Sequence, residues 1–167
     1  MQYTQYYSSP LGKILLAADD IGLTGLWFVG QKYYARGLDG EHEEKETPAL
    51  KAAKEWLDVY FSGRDPGTFK PIHMIGTDFQ KSVWEILLAI PYGKTTTYGE
   101  IAKQAAAAKG LKSMSPQAVG GAVGHNRISI IIPCHRVVGS DGSLTGYAGG
   151  IDKKAALLDL ERSHYRT

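Results

Sequence analysis

The reactive side chains of this sequence gather in Ile130-Ile131-Ile132-Pro133-Cys134-His135-Arg136-Val137-Val138. Cys134 is the single cysteine of the chain. A cysteine attacks as its thiolate, and a thiol with a pKa near about 8.5 is only a few per cent ionised at neutral pH. A base or a cation must therefore stand beside it, and His135 is the first candidate. Adjacent residues seldom face each other in regular structure, so direct contact is not assured; a bridging water would solve the geometry. A carboxylate would then orient the imidazole, and Asp152, Asp159 and Glu161 lie downstream. Pro133 fixes the entry to Cys134, because it restricts the preceding residue and has no N–H. The bland alternative is an inert buried cysteine beside a core histidine.

One cysteine excludes an intramolecular disulfide framework and any multi-cysteine metal site. The histidines (42, 73, 125, 135 and 164) are scattered. No metal is expected. Such cysteine usage fits a reducing cytosol. Met1-Gln2-Tyr3-Thr4-Gln5 has neither a charged start nor an apolar core, so no signal peptide is expected. The longest aliphatic run, Ile128 to Ile132, is interrupted by Ser129 and falls far short of the ~20 residues that span a bilayer. A cytoplasmic protein without membrane attachment is expected. The composition, 43% hydrophobic and 22% charged over 167 residues, is that of a globular chain and excludes disorder and collagen-like repeats. That length accommodates one domain or two small ones.

The charge is uneven. Residues 1–76 carry 8 Lys+Arg against 10 Asp+Glu, a net of −2, whereas 77–167 carry 11 against 7, a net of +4. A basic second half hints at a polyanionic partner.

The elements that must position the cysteine segment can be read from pattern. Gln2–Ser8, Lys13–Ala18 and Leu23–Val29 read as strands, with Ser9-Pro10-Leu11-Gly12 and Asp19-Asp20-Ile21-Gly22 as the turns of an antiparallel meander. Leu38 to Thr47, rich in glutamate, reads as a mobile surface loop. Thr47-Pro48 starts a helix as N-cap and N1, with an apolar stripe at Leu50, Ala53, Trp56, Leu57, Tyr60 and Phe61. Gly63 to Gly76 is the candidate boundary, dividing the chain into 1–76 and 77–167. Thr77 caps a second helix that Pro91 stops. Thr97-Tyr98-Gly99-Glu100 has capping-box spacing and opens a helix to about Ala108. After Lys109–Met114, Ser115-Pro116 opens Gln117–Gly124, which ends near His125-Asn126. Two successive short helices suit a helix-turn-helix with the second as recognition helix.

That second helix has three glycines in eight residues, each costing about 1 kcal/mol relative to alanine. Either another helix packs closely there, or the bare face approaches a narrow surface. The DNA minor groove, about 6 Å wide against about 12 Å for the major groove, is such a surface. A smooth helix offers few groups for reading bases, so binding would depend little on sequence.

Pro133-Cys134-His135-Arg136-Val137, preceded by Ala118-Val119-Gly120-Gly121-Ala122 and Asn126, and followed by Gly146-Tyr147-Ala148-Gly149-Gly150, resembles the signature of the methylated-DNA–protein-cysteine methyltransferases, or O6-alkylguanine-DNA alkyltransferases. The resemblance spans almost the whole chain and is strongest from Thr77 to Glu161. It implies an α+β fold: an N-terminal ribonuclease-H-like antiparallel sheet with a helix, then a helical, winged-helix-like domain carrying the helix-turn-helix. It implies a monomer that binds double-stranded DNA through the minor groove, flips O6-alkylguanine (and O4-alkylthymine as a further substrate), and moves the alkyl group irreversibly to cysteine without a cofactor. Flipping is required because O6 is shielded inside the stack.

The roles implied are specific. Cys134 is the nucleophile and alkyl acceptor, His135 takes its proton through a water, and Glu161 orients the histidine. Asn126 is the hinge between recognition helix and cysteine segment, and Tyr98 donates to the flipped purine. Substrate contacts fall on Pro133, the Val137 carbonyl, the backbone of Tyr147 and Ala148, and Gly149. DNA contacts fall on Thr97, Tyr98, Ser115, Gln117, Ala118, Gly121, Arg136 and Ser140. Gln117 stands where many members have an arginine that fills the hole left by the flipped base, which removes a positive charge. Lys109 and Lys112 in the longer connection are expected at phosphate. Ser129 stands where some members have a proline lining the alkyl pocket. Two other functions remain to be separated: a damage-flagging relative that binds without transfer, against which Cys134 argues, and a thiol hydrolase using Cys134, His135 and Glu161. The hydrolase would not need the glycine-rich helix or Asn126.

Overall fold

The computed structural model describes residues 1–144 and 146–165. The meander forms as β1 (Gln2–Ser9), β2 (Gly12–Ala18) and β3 (Leu23–Phe28), paired antiparallel in sequence order. Its second turn is closed by the Asp19 carboxylate, which accepts the N–H groups of Ile21 and Gly22, the local bonding that favours aspartate in turns.

The glutamate-rich stretch departs from the expected loop. β4 (His42–Glu44) pairs parallel to β1, so the sheet order is β3-β2-β1-β4. Its side chains are all exposed, so it has no apolar alternation to read. Backbone groups on the free edge of β1 require partners, and charged residues suit an edge strand.

Helix α1 (Pro48–Phe61) starts where Thr47 accepts the Leu50 N–H, and it lays Leu50, Ala53, Leu57 and Tyr60 on the sheet. Helix α2 (Asp78–Leu88) carries a reciprocal Thr77–Gln80 capping box. Strand β5 (Thr96–Thr97) leads into α3 (Tyr98–Ala108), and α4 (Pro116–Gly124) follows with Ser115 as N-cap. A 3-10 turn (Cys134–Arg136) runs into β6 (Val137–Val138), which pairs parallel with β5; α5 (Ile151–Tyr165) comes last. The helix-turn-helix is thus α3 and α4. The Trp84 indole N–H holds α2 to it by donating to the Ala122 carbonyl at 2.9 Å. No helix among the described residues is long and apolar enough to cross a membrane.

One continuous core joins the two halves. It runs from Leu16, Leu26 and Phe28 through Tyr60 and Leu87 to Val123, Ile132 and Leu157. The outer edge of β3 is occupied by later parts of the chain: Ile72 lies beside Leu23 and Ile128 beside Leu26. The Leu26 N–H donates to the Arg127 carbonyl at 2.8 Å, and the Ser129 N–H donates to the Leu26 carbonyl at 3.1 Å. Proline at position 129 would lack that second donor. The sheet therefore anchors the approach to Cys134.

Ile14 is fully buried on β2. Ile14→Val should cost about 1 kcal/mol in urea denaturation, the usual effect of removing one buried methylene.

Candidate active site

The 3-10 turn has three residues per turn, so consecutive side chains leave it about 120° apart. Cys134, His135 and Arg136 accordingly point to different neighbours. All three are buried, with Cys134 6% exposed. Upstream, Ile130 has φ +69°, a left-handed conformation that costs a β-branched residue roughly 1–3 kcal/mol and persists only where packing overrides it. Buried Asn126 braces this segment. Its Nδ2 donates to the Ile132 carbonyl at 2.8 Å and its Oδ1 accepts the Ile128 N–H at 3.0 Å. The same side chain hydrogen-bonds the Cys134 sulfur. His125 caps α4, so Asn126 is not spent on that task.

Glu161 is the hub. Its Oε2 accepts His135 Nε2 at 2.5 Å and the Tyr60 hydroxyl at 2.6 Å. Its Oε1 accepts Arg136 Nε at 2.8 Å and the Gly93 N–H at 3.1 Å. Burial alone would raise the carboxyl pKa, but hydrogen bonds and charge from His135 and Arg136 outweigh it and hold it at about 2. A carboxylate can only accept, so His135 carries its proton on Nε2. Burial holds the imidazole below its ordinary pKa, against the pull of Glu161. Neutral His135 then presents the Nδ1 lone pair, which is buried without a hydrogen-bond partner among the described residues. Burial pushes the Cys134 thiol up, opposed by the Asn126 hydrogen bond and the charge of Lys154. The resting sulfur is a protonated thiol with a base one residue away.

A cavity of about 610 Å³ is walled by α4 (Pro116, Gln117, Gly120, Gly121, Gly124, His125), by Tyr98, Gly146, Tyr147 and Ala148, and by Lys32 and Tyr33. That volume lies within the roughly 300–1,000 Å³ usual for small-molecule sites. Cys134 is not a wall of it; Tyr147 is, and its phenol is pushed well above the ordinary range by burial and then by the nearby Cys134. The space around the α4 glycines bears on the packing explanation of that helix. A Cβ on Gly121 or Gly124 would meet nothing within 4 Å, and one on Gly120 would only touch the Tyr98 ring at 4.0 Å. Among the described residues nothing packs against Gly121 or Gly124, whose side of the helix is a wall of the cavity.

The predicted residues fall into three groups. Cys134, His135, Glu161 and Asn126 converge, with fully buried Val137 continuing from the turn. Tyr98, Gln117, Gly121, Tyr147 and Ala148 line the cavity. A Cβ on Gly149 would meet the Tyr147 ring at 2.8 Å and Phe28 at 3.0 Å, so glycine lets that loop close. Thr97 and Ser115 use their hydroxyl oxygens as helix caps. Ala118 and Ser140 are exposed outside the cavity walls. Arg136 departs from the expected DNA contact. It is 8% exposed, and its guanidinium is bound to Glu161 and, at 2.8 Å, to the Ile90 carbonyl. A cation committed to a buried carboxylate is not available to phosphate.

Sequence reasoning missed Lys154, Tyr60 and Tyr33. Lys154 is fully buried and acts electrostatically on Cys134. Helical spacing held the clue, since 154, 157, 158 and 161 share one face of α5. Tyr33, at φ +59°, stacks on His125 with ring centroids 4.6 Å apart. No cluster of three or more metal-ligating side chains occurs among the described residues. The side chain of His164 lies outside the described residues.

Residues 2–73 match the family model for the 6-O-methylguanine DNA methyltransferase ribonuclease-like domain, and residues 78–163 the one for the 6-O-methylguanine DNA methyltransferase DNA binding domain. The chain is similar to the methylated-DNA–protein-cysteine methyltransferase of Mycobacterium bovis, 44% identical over 155 residues that cover 93% of this chain and 89% of that protein. The protein of that name from Methanosarcina barkeri is 45% identical over 165 residues, 98% and 99% of the two chains. The crystal structure of Mycobacterium tuberculosis OGT in complex with DNA matches with a TM-score of 0.82 at 42% identity, covering 97% and 94%.

Acid should unfold this site in a defined way. His135 and Glu161 both hold off protons in the native state that the unfolded chain binds, so stability is fullest above the ordinary histidine pKa of 6.5 and falls as pH drops. The Glu161 share, about 3 kcal/mol, is lost between 4.5 and about 2. Glu161→Gln should be less stable at pH 7 and lack that last stage, as urea denaturation across pH will read. Gly121→Ala should instead raise stability by about 0.5–1 kcal/mol, because its methyl meets open space.

Proposed function

This chain belongs to the 6-O-methylguanine DNA methyltransferase family, and from that premise we propose that it repairs DNA by moving an alkyl group from guanine O6 to Cys134. The observation that carries this reading is the Cys134–His135–Glu161 arrangement beside the bare-faced helix α4. His135 Nδ1 takes the thiol proton through a water. The thiolate attacks the alkyl carbon, an S–C bond forms, and the O6–C bond breaks with its electron pair going to the purine. Tyr98 donates a proton to the leaving purine, and the thiol proton replaces it by way of His135. Thiol and alkylguanine become thioether and guanine. No cofactor enters, and the thioether is not regenerated, so each chain acts once.

Target O6 lies inside the stack, so the base must be flipped out. The cavity between Tyr98, Tyr147 and α4 receives it. There the Val137 carbonyl accepts from the guanine amino group and backbone N–H groups at Tyr147 and Ala148 reach O6 or N7; Gly149 lets the Tyr147 loop close, and Pro133, which borders a separate cleft with Ile131 and Arg136, fixes the entry to Cys134. The free glycine face of α4 supports approach from the minor groove of duplex DNA. Thr97, Ser115 and Ser140 contribute hydroxyl donors to phosphate, and Lys109 and Lys112 add charge. Ala118 and Gly121 keep the helix low, and Gln117 fills the space left by the flipped base. The protein acts as a monomer in the cytoplasm, divided at 76/77 into supporting and reacting parts.

Incubation with duplex DNA containing O6-methylguanine should add one methyl group to the intact mass of wild type and none to Cys134→Ser. Binding with unchanged mass, or more than one product per chain, would sink the suicide mechanism. Gly121→Ala should bind DNA several-fold more weakly despite its greater stability. Gln117→Arg should bind more tightly and steepen the salt dependence by roughly one phosphate contact. Unchanged affinity and rate would remove Gln117 from the gap-filling role.

A further inference from the structure

Tyr60 is fully buried on α1, yet its hydroxyl donates to Glu161 Oε2, the oxygen that also accepts His135 Nε2. The two residues are 101 positions apart. The ring is clamped between Trp56, stacked at 5.5 Å and 8°, and the edges of Phe61 and Tyr92. We propose that Tyr60 is a positioning residue for alkyl transfer, contributed by the N-terminal half, which sets both the orientation and the basicity of His135 by sharing Glu161 Oε2 with it. The proposal rests on Cys134 being the alkyl acceptor.

A carboxylate oxygen has two lone-pair sites, and here each oxygen has two donors. Arg136 and Gly93 saturate Oε1, so the carboxylate cannot rotate without losing a bond at each end. On Oε2 the phenol and the imidazole compete for the same charge. A hydrogen bond to the charged form stabilises it; the phenol therefore withholds from the imidazolium part of the stabilisation that Glu161 could supply. His135 stays neutral to lower pH than it would beside an unshared carboxylate. The other titratable or charged groups facing this cluster are Arg136 beside it in the turn, Tyr92 from the α2–β5 connection, Tyr147 from the loop before α5, and Lys154 on α5. Arg136 donates to the other oxygen, Oε1.

Tyr60→Phe removes the donor and keeps the ring. Its effect is read on the first-order transfer rate from saturating O6-methylguanine duplex between pH 5 and 9, with Ile14→Val as a destabilised control remote from Glu161. A second readout avoids DNA: the rate at which methyl iodide alkylates Cys134, followed by intact mass with Cys134→Ser as blank. The expected result is a Tyr60→Phe protein that binds DNA as wild type does, transfers about tenfold more slowly, a fraction of the roughly 10²–10⁴ that a positioned base contributes, and has its acid limb displaced to higher pH in both reactions. Ile14→Val should lose melting temperature without moving that limb. A Tyr60→Phe limb coincident with wild type in the methyl iodide reaction, or an equal displacement in Ile14→Val, overturns the proposal. Wild type that reacts with methyl iodide but gains nothing from DNA instead overturns the assigned function, and the Tyr60 comparison still stands in the first reaction.

Discussion

A single buried carboxylate organises this protein. Glu161 is inaccessible to water, and an isolated charge there would be intolerable. It is ionised because four donors meet it: the His135 imidazole, the Tyr60 phenol, the Arg136 guanidinium and the Gly93 N–H. Those donors come from the cysteine turn, the N-terminal helix and the chain after α2. Satisfying one charge thus draws α1, α5, the turn and the Tyr92–Gly93 segment to one point. The chemistry inherits this arrangement. A carboxylate that can only accept dictates the histidine tautomer, and the tautomer aims a basic nitrogen away from Glu161.

The approach to Cys134 is controlled by a second set of restraints made of backbone. The segment from Arg127 to Ser129 pairs with Leu26 on the edge of β3, and Asn126 ties the ends of the loop together. Ile130 is held at a positive φ within that frame. Such a conformation survives because the residue is buried against the core and its neighbours are hydrogen-bonded on both sides. The N-terminal sheet therefore helps to hold the Cys134 segment in place.

Helix α4 illustrates how packing information resolves an ambiguous pattern. Its glycines are costly in a helix, and close packing and close approach to an outside surface predict the same composition. Open space beyond Gly121 and Gly124 removes close packing as the reason for those two. Arg136 shows the converse. The family resemblance placed it among the DNA contacts, but the 3-10 turn directs it inward to Glu161. Three consecutive residues on a tight turn serve three different neighbours, and no periodicity announces that.

What was legible in the residues alone is local. Thr47-Pro48, Thr77 and Ser115-Pro116 mark helix starts because capping is settled within four residues. Runs rich in Tyr, Ile, Leu and Trp between turn residues mark β1 to β3, and the Pro133-Cys134-His135 string with the lone cysteine marks the proposed nucleophile. Non-local pairings were not legible. β4 exists because the edge of β1 needs partners, not because its exposed acidic residues favour a strand. The Tyr60–Glu161 bond joins residues a hundred positions apart, and Tyr60 looked like one more member of an apolar stripe. Nothing in the sequence singles out Lys154, which α5 buries where its charge acts on Cys134. Local order follows from short-range sterics and hydrogen bonding, which sequence encodes directly. The protonation state of the site depends on which charges burial brings together, and that was decided only when the two halves closed over one core.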